Sequence, residues 1–205
     1  MFISFEGIDF CGKSTQIDLL NDYLIENNKK VEVVREPGST EISDKIRAIL
    51  LDKKNDKMFG ESELFLFSAS RAQLVREKIR PYLEKDYYVI SDRFHDSSTA
   101  YQGYGRGVPL DIIKVIHQLA IDDTIPDLTF YMDIPVGVAN ERKKKQLKGK
   151  LDRIEQSDID FYNRVRNGYL EIAKQEERVK IIDGTQTIEI IRNQIITEFE
   201  LFQTR

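Results

Sequence analysis

Residues 7–14 read G-I-D-F-C-G-K-S, which fits G-x-x-x-x-G-K-[ST], the pattern of a phosphate-binding loop. The flanks supply the context such a loop needs. Upstream, Phe2-Ile3-Ser4-Phe5-Glu6 is a short β-prone run; downstream, Ile17, Leu20 and Leu24 recur at helical spacing on one apolar face. In a strand–loop–helix unit, backbone N–H groups curl around phosphate oxygens and the helix N-terminus adds partial positive charge. The segment Gly7, Ile8, Asp9, Phe10, Cys11, Gly12, Lys13, Ser14 and Thr15 is therefore expected to cradle a nucleoside triphosphate. Lys13 would reach the β- and γ-phosphates, and the Ser14 hydroxyl would coordinate Mg²⁺.

Outward from the loop, strand-like segments alternate with helical ones. The strands are expected at 2–6, Val31–Arg35, Tyr87–Ser91, Leu128–Met132 and Val179–Ile182. Helical periodicity fills 13–27, about 41–52, 61–85, 109–123, 135–145 and 158–177, and a last helix carries Ile188, Ile191, Ile195, Phe199 and Phe202 on one face. Strands separated by helices imply right-handed crossovers and a five-stranded parallel sheet with helices on both faces. No repeat or Pro/Gly/Ser-rich linker divides the chain, so 1–205 reads as a single α/β domain.

Nearly every strand ends in charge: Glu6, Arg35-Glu36, Asp92-Arg93, Asp133 and Asp183. Ligands of open α/β sheets bind at the carboxyl ends of strands, so these residues are expected to form the rim of an active site.

Composition narrows the function classes. Apolar residues at 40% and charged residues at 32% describe a soluble globular chain. No apolar run approaches the ~18 residues of a membrane span, and no basic-then-apolar leader opens the chain. One cysteine, Cys11, excludes an internal disulfide framework. The expected location is the cytoplasm, with no membrane partner. A net charge of −4, from 31 basic and 35 acidic residues, offers no whole-protein attraction for nucleic acid.

An Asn-Lys-x-Asp element for reading guanine is absent, which leaves the small P-loop kinases as the favoured class. Their second substrate is usually an anion, so arginines aimed into the cleft are diagnostic. Arg35 closes the second strand before Pro37-Gly38, and Arg93 follows the third. Arg71 falls on the apolar face of the third helix with Leu64, Phe67, Leu74 and Val75, where a guanidinium requires a buried partner or a ligand.

The residues at this point resemble bacterial thymidylate kinases, of the P-loop nucleoside monophosphate kinase superfamily. The matching segments run almost end to end: F-x-x-F-E-G-I-D-x-x-G-K-S-T at 2–15, R-E-P-G at 35–38, L-F-L-F-S-A-S-R-A-Q at 64–73, S-D-R-F-x-D-S-S-T-A-Y-Q-G-x-G-R-G at 91–107, P-D-L-T-F-Y-M-D at 126–133 and L-D-R-I-E at 151–155. The resemblance implies transfer of the ATP γ-phosphoryl group to dTMP with Mg²⁺, and a homodimer. It implies that Phe67 stacks on thymine, Arg71 bonds a base carbonyl, and Ser98 and Gln102 lie near the base. Tyr101 would exclude a ribose 2′-hydroxyl, and Asp9, Arg35, Pro37 and Arg93 would surround the acceptor sugar and phosphate. Asp92 would orient Arg93 or the outer water shell of Mg²⁺.

The basic run from Arg142 to Arg153 resembles a lid closing over ATP, with Gly149 as a hinge. Since Phe10 occupies the P-loop position where some relatives carry an arginine, Lys148 or Arg153 is expected to supply the transition-state cation. The glycine-rich stretch 103–107 reads as a flexible loop beside the acceptor site, and Cys11 as a small residue the loop requires. Two other readings stay open: a P-loop kinase for a different acceptor, and a regulatory protein that binds ATP without turnover.

Overall fold

The computed structural model describes residues 1–146 and 151–204. Its chain runs β1 (Phe2–Glu6), α1 (Lys13–Glu26), β2 (Val31–Arg35), α2 (Glu41–Leu51), α3 (Gly60–Leu74), α4 (Arg80–Leu83), β3 (Tyr88–Asp92), α5 (His95–Ser98), α6 (Leu110–Ile121), β4 (Leu128–Asp133), α7 (Val136–Gln146), α8 (Ile159–Gln175), β5 (Val179–Asp183) and α9 (Ile188–Gln203). The strands form one parallel sheet in the order β2-β3-β1-β4-β5. β1 is central, so the chain builds one wing and then crosses over to build the other. The loop after β1 therefore lies where the strand order reverses, the position at which such sheets bind ligands.

Period-two alternation divides β1 between two faces. Ile3 and Phe5 join Ile17, Leu20 and Leu24 of α1 in the main core, while Phe2 packs edge-on against Phe94 at 4.9 Å. Glu6 shares the parity of Phe2, and this places a carboxylate inside the fold.

Strands β3, β4 and β5 each run one residue further than periodicity suggests. Arg35 pairs with Asp92 and Asp133 with Asp183, because the parallel ladder recruits backbone whatever the side chain. The larger correction is at 103–107. Instead of a loose loop, α5 leads into a wide, π-helical turn over Thr99–Gly105, buried against α8. A Cβ at Gly105 would stand 2.7 Å from the Phe161 ring, so glycine here serves close packing. Composition reads such a segment as loop because its glycines and polar residues carry no helical stripe. Helix α3 likewise continues through a π-helical turn, Val75–Ile79, into α4.

Candidate active site

The phosphate loop is strained into shape by left-handed residues. Gly7, Phe10 and Gly12 adopt φ of 139°, 65° and 101° before α1 begins at Lys13. Gly7 cannot be replaced, since a Cβ there would meet the Met132 carbonyl oxygen at 2.7 Å. Lys13 folds back over the loop, its Nζ donating to the carbonyls of Gly7 (3.0 Å) and Ile8 (3.2 Å). Cys11 is buried in the core, consistent with a packing role.

A cleft of about 600 Å³ opens over this loop, lined by residues 9–16 together with Arg35, Arg47, Asp92, Arg93 and Arg142. A second cavity of about 100 Å³ lies beside it, walled by Pro37, Phe67, Ser98, Tyr101 and Gln102. Asp9, Glu36, Arg47, Arg93 and Asp152 line both, forming a shared wall. A group passing from one compartment to the other must cross these charges.

Arg93 is the centre of that wall. Its Nη2 donates to Asp9 Oδ1 at 2.6 Å and its Nη1 to the Gly7 carbonyl at 2.7 Å, tying β3 to the phosphate loop. Its guanidinium stacks on the Tyr101 ring at 5.2 Å. Burial pushes the Asp9 carboxyl upward, but Arg93 and Lys13 overcome that and hold it below the usual aspartate range. Tyr162 Oη adds a hydrogen bond to Asp9 Oδ2 at 3.2 Å.

Arg71 lies directly behind the second cavity. Its Nε is 2.5 Å from Glu36 Oε1, with both side chains 1% exposed, and its Nη2 donates to Ser98 Oγ at 2.9 Å. Its Nη1 is buried without a hydrogen-bond partner among the described residues. Arg71 itself lines neither cavity, and it bonds Ser98 and Glu36, which line the second. Glu36 was expected only as one of the charged strand ends, not as the partner of Arg71. Its signal was the need of Arg71 for a buried counter-charge.

Ser14 is exposed on the cleft, and Asp92 lines the same cleft with its carboxylate unpaired among the described residues. A hydroxyl and one free carboxylate suit Mg²⁺, which keeps several waters and takes its remaining ligands from phosphates. No group of three or more potential metal-ligating side chains occurs among the described residues.

Other expectations need correction. Arg153 does not face the phosphate cleft. Its Nε donates to the Leu50 carbonyl (2.8 Å) and its Nη2 to Glu63 Oε2 (2.5 Å), because buried Glu63 demands a cation. Lys148 and Gly149 lie outside the described residues. Asp133 is ion-paired to Arg166, and Asp183 caps the turn at Thr185 and Gln186; neither lines either cavity. Arg35 lines the larger cleft only.

Arg47 was missed as a site residue, and Arg142 was read only as the start of the lid. Arg47 reaches the shared wall from α2 while donating to the Pro37 carbonyl at 2.8 Å. Arg142 reaches the back of the phosphate loop, donating to carbonyls of Phe10, Cys11 and Gly184. On a helix dotted with charge, one more arginine carries no periodic signal. His95 and His117 stack edge-on at 5.4 Å, and burial keeps both neutral, at about 4 and about 2.

The thymidylate kinase family model matches residues 5–195. The thymidylate kinase of Kosmotoga olearia is 48% identical over 202 residues, covering 98% of this chain and 96% of that protein. That of Fervidobacterium nodosum is 49% identical over 202 residues, covering 98% and 100%. The crystal structure of the Ehrlichia chaffeensis thymidylate kinase superposes with a TM-score of 0.80 at 36% identity, covering 98% of both chains. Similarity this extensive, on a sheet with its phosphate loop at the crossover and a second cavity alongside, admits one assignment: the chain belongs to the thymidylate kinase family, whose enzymes phosphorylate dTMP to dTDP with ATP.

Proposed function

We propose that residues 1–205 act as one kinase domain that binds ATP over the phosphate loop, binds dTMP in the side cavity, and transfers the γ-phosphoryl group across the wall between them. The observation that carries this reading is the wall itself, where Arg93, Arg47 and Asp9 belong to both compartments. Lys13 leaves its loop carbonyls for the β- and γ-phosphates. Arg93 and Arg35 take the acceptor phosphate, with Arg47 beside them.

Phe67 offers its ring to thymine, and Arg71 offers its unmatched Nη1 to a base carbonyl beside Ser98 and Gln102. Tyr101 is 6% exposed, clamped between Arg93 and the Phe161 ring at 5.9 Å. A side chain so confined cannot retreat, and this supports steric exclusion of a 2′-hydroxyl. Ser14 would hold Mg²⁺ with Asp92 toward its water shell; the ion, when bound, neutralises charge between the phosphates. Arg142 steadies the phosphate loop, and Lys148 is our candidate for the lid cation. The attacking oxygen belongs to an ionised phosphate, so positioning and charge neutralisation suffice and no general base is needed.

The functional unit we propose is a homodimer. Phe65, Val115 and Leu119 are 61%, 65% and 80% exposed on the mutually packed helices α3 and α6, a face that a second copy would cover. Light scattering tests it, and a monomeric mass at micromolar concentration would refute it. A cytoplasmic setting is part of this proposal; no helix among the described residues is long and apolar enough to cross a membrane.

The decisive assay is ADP release with ATP·Mg²⁺ against dTMP, dUMP, ribo-TMP, dCMP, AMP and GMP. We expect strong turnover with dTMP and almost none with the ribo form. Turnover with dUMP should be weaker but present, because one methyl group contributes only about 1–3 kcal/mol in a pocket. Turnover confined to another acceptor would overturn the cavity assignment. ATP binding without turnover on any acceptor would favour a regulatory role.

A further inference from the structure

Glu6 is a fully buried carboxylate that neither compartment uses as lining. Its Oε1 accepts from the Phe94 N–H at 2.7 Å. Its Oε2 accepts from Ser97 Oγ at 2.6 Å and from Tyr169 Oη at 2.8 Å. Those two hydroxyl oxygens are 2.9 Å apart, and each lies 3.4 Å from Arg93 Nη1. One carboxylate thus grips the backbone N–H that follows Arg93 and both hydroxyls that flank its guanidinium. Arg93 needs such a grip. Its φ of +70° is a left-handed conformation that a bulky residue holds only when its surroundings over-determine it.

We propose that Glu6 is the positioning residue for Arg93, orienting Phe94 N–H, Ser97 and Tyr169 so that the guanidinium faces the wall between the two compartments. This deepens the kinase reading above and rests on it.

The protonation state of Glu6 governs the cradle, because three donors converge on it. As a carboxylate it accepts from all three. As an acid it must donate its own proton to Ser97 Oγ or Tyr169 Oη, and a hydroxyl beside Arg93 has to turn. Burial raises its pKa first and Asp96 of α5 second, while Ser97, Arg93 and Tyr169 pull it down; the balance falls at about 7. Arg178 pairs with Asp96 at 2.8 Å, neutral His95 sits beside them, Asp9 lies across Arg93, and Tyr131 stacks on Tyr169 at 4.9 Å. The cradle is therefore intact above neutrality and rearranged below it.

The test is kcat at saturating ATP and dTMP from about pH 5.5 to 9, with carboxyl titration of ¹³C-glutamate-labelled protein as a readout independent of turnover. The wild type should lose activity along a one-proton limb near pH 7. Glu6→Gln should lower kcat about 10- to 100-fold at high pH, leave the KM for ATP within a few-fold, and abolish that limb. Substrate phosphates, titrating near pH 6, are common to both proteins, so the difference between profiles belongs to Glu6.

Tyr169→Phe removes a donor to the carboxylate and should move both limb and NMR midpoint to higher pH. It serves as the test should Glu6→Gln fail to fold. An active wild type whose profile superimposes on that of Glu6→Gln, or a Glu6 midpoint at the ordinary glutamate value of about 4.3, overturns the positioning role alone. A wild type inactive on dTMP, with the raised midpoint intact, instead overturns the kinase reading and the positioning role with it.

Discussion

Replacing Arg71 by methionine isolates the buried pair behind the acceptor cavity. Arg71 and Glu36 are each 1% exposed, and burial already raises the Glu36 carboxyl above its ordinary range despite Arg71 beside it. Without the guanidinium, Glu36 is a buried charge with no cation. Breaking such a pair costs about 3–5 kcal/mol. At about 2–4 °C per kcal/mol for a chain of this size, the melting temperature should fall by roughly 6–20 °C.

A raised carboxylate pKa means the folded state holds a proton that the unfolded state has released. Stability therefore falls as pH rises from the unfolded value toward the folded one, by about 1.4 kcal/mol per unit. The deficit of Arg71→Met should thus be largest at high pH and shrink as pH falls toward 5. Adding Glu36→Gln should restore much of it, since the orphaned charge is gone. The assay is urea denaturation of wild type, both single variants and the double variant at two pH values. A pH-independent deficit, or single-variant effects that add within about 0.5 kcal/mol, would refute the reasoning.

Three further outcomes are expected. Tyr101→Ala should open space beside Arg93 and raise turnover with ribo-TMP relative to dTMP; an unchanged ratio would exclude Tyr101 as the selectivity element. Arg153→Met should leave Glu63 buried without its closest cation and lower stability by about 3–5 kcal/mol, read by thermal melting. If instead kcat collapses with the melting point unchanged, Arg153 acts at the phosphates after all. Lys13→Met should cut kcat about 10²- to 10³-fold while the fold persists, because Lys13 bonds only its own loop; near-normal turnover would remove it from the reaction.

Much of this protein is local, and local features are legible in the chain. The phosphate loop is contiguous, and its glycines are required by backbone φ. That the sheet is parallel follows from strands separated by helices plus a rule of handedness, while its order came from the fold. Arg71 announced itself by standing on an apolar face, where only a buried partner or ligand can account for it. Arg93 stood out by following a strand at the carboxyl edge of the sheet.

What the tertiary structure decided was pairing. Arg71 with Glu36, Arg153 with Glu63, and Glu6 with Phe94, Ser97 and Tyr169 join residues 35 to 163 positions apart or bridge separate elements. No spacing rule relates such residues, so pattern alone gave Arg153 to the phosphates when a buried carboxylate holds it elsewhere. The charged strand ends show the same division. All lie at one edge, yet Asp133 is paired with Arg166 and Asp183 is hydrogen-bonded within its own turn, which leaves Arg35, Glu36, Asp92 and Arg93 to line the cleft. Sequence determines which charges reach the carboxyl edge of the sheet, because strand ends are a local property. Which of them remain free to meet a substrate depends on partners supplied by distant segments, and only the fold brings those within reach.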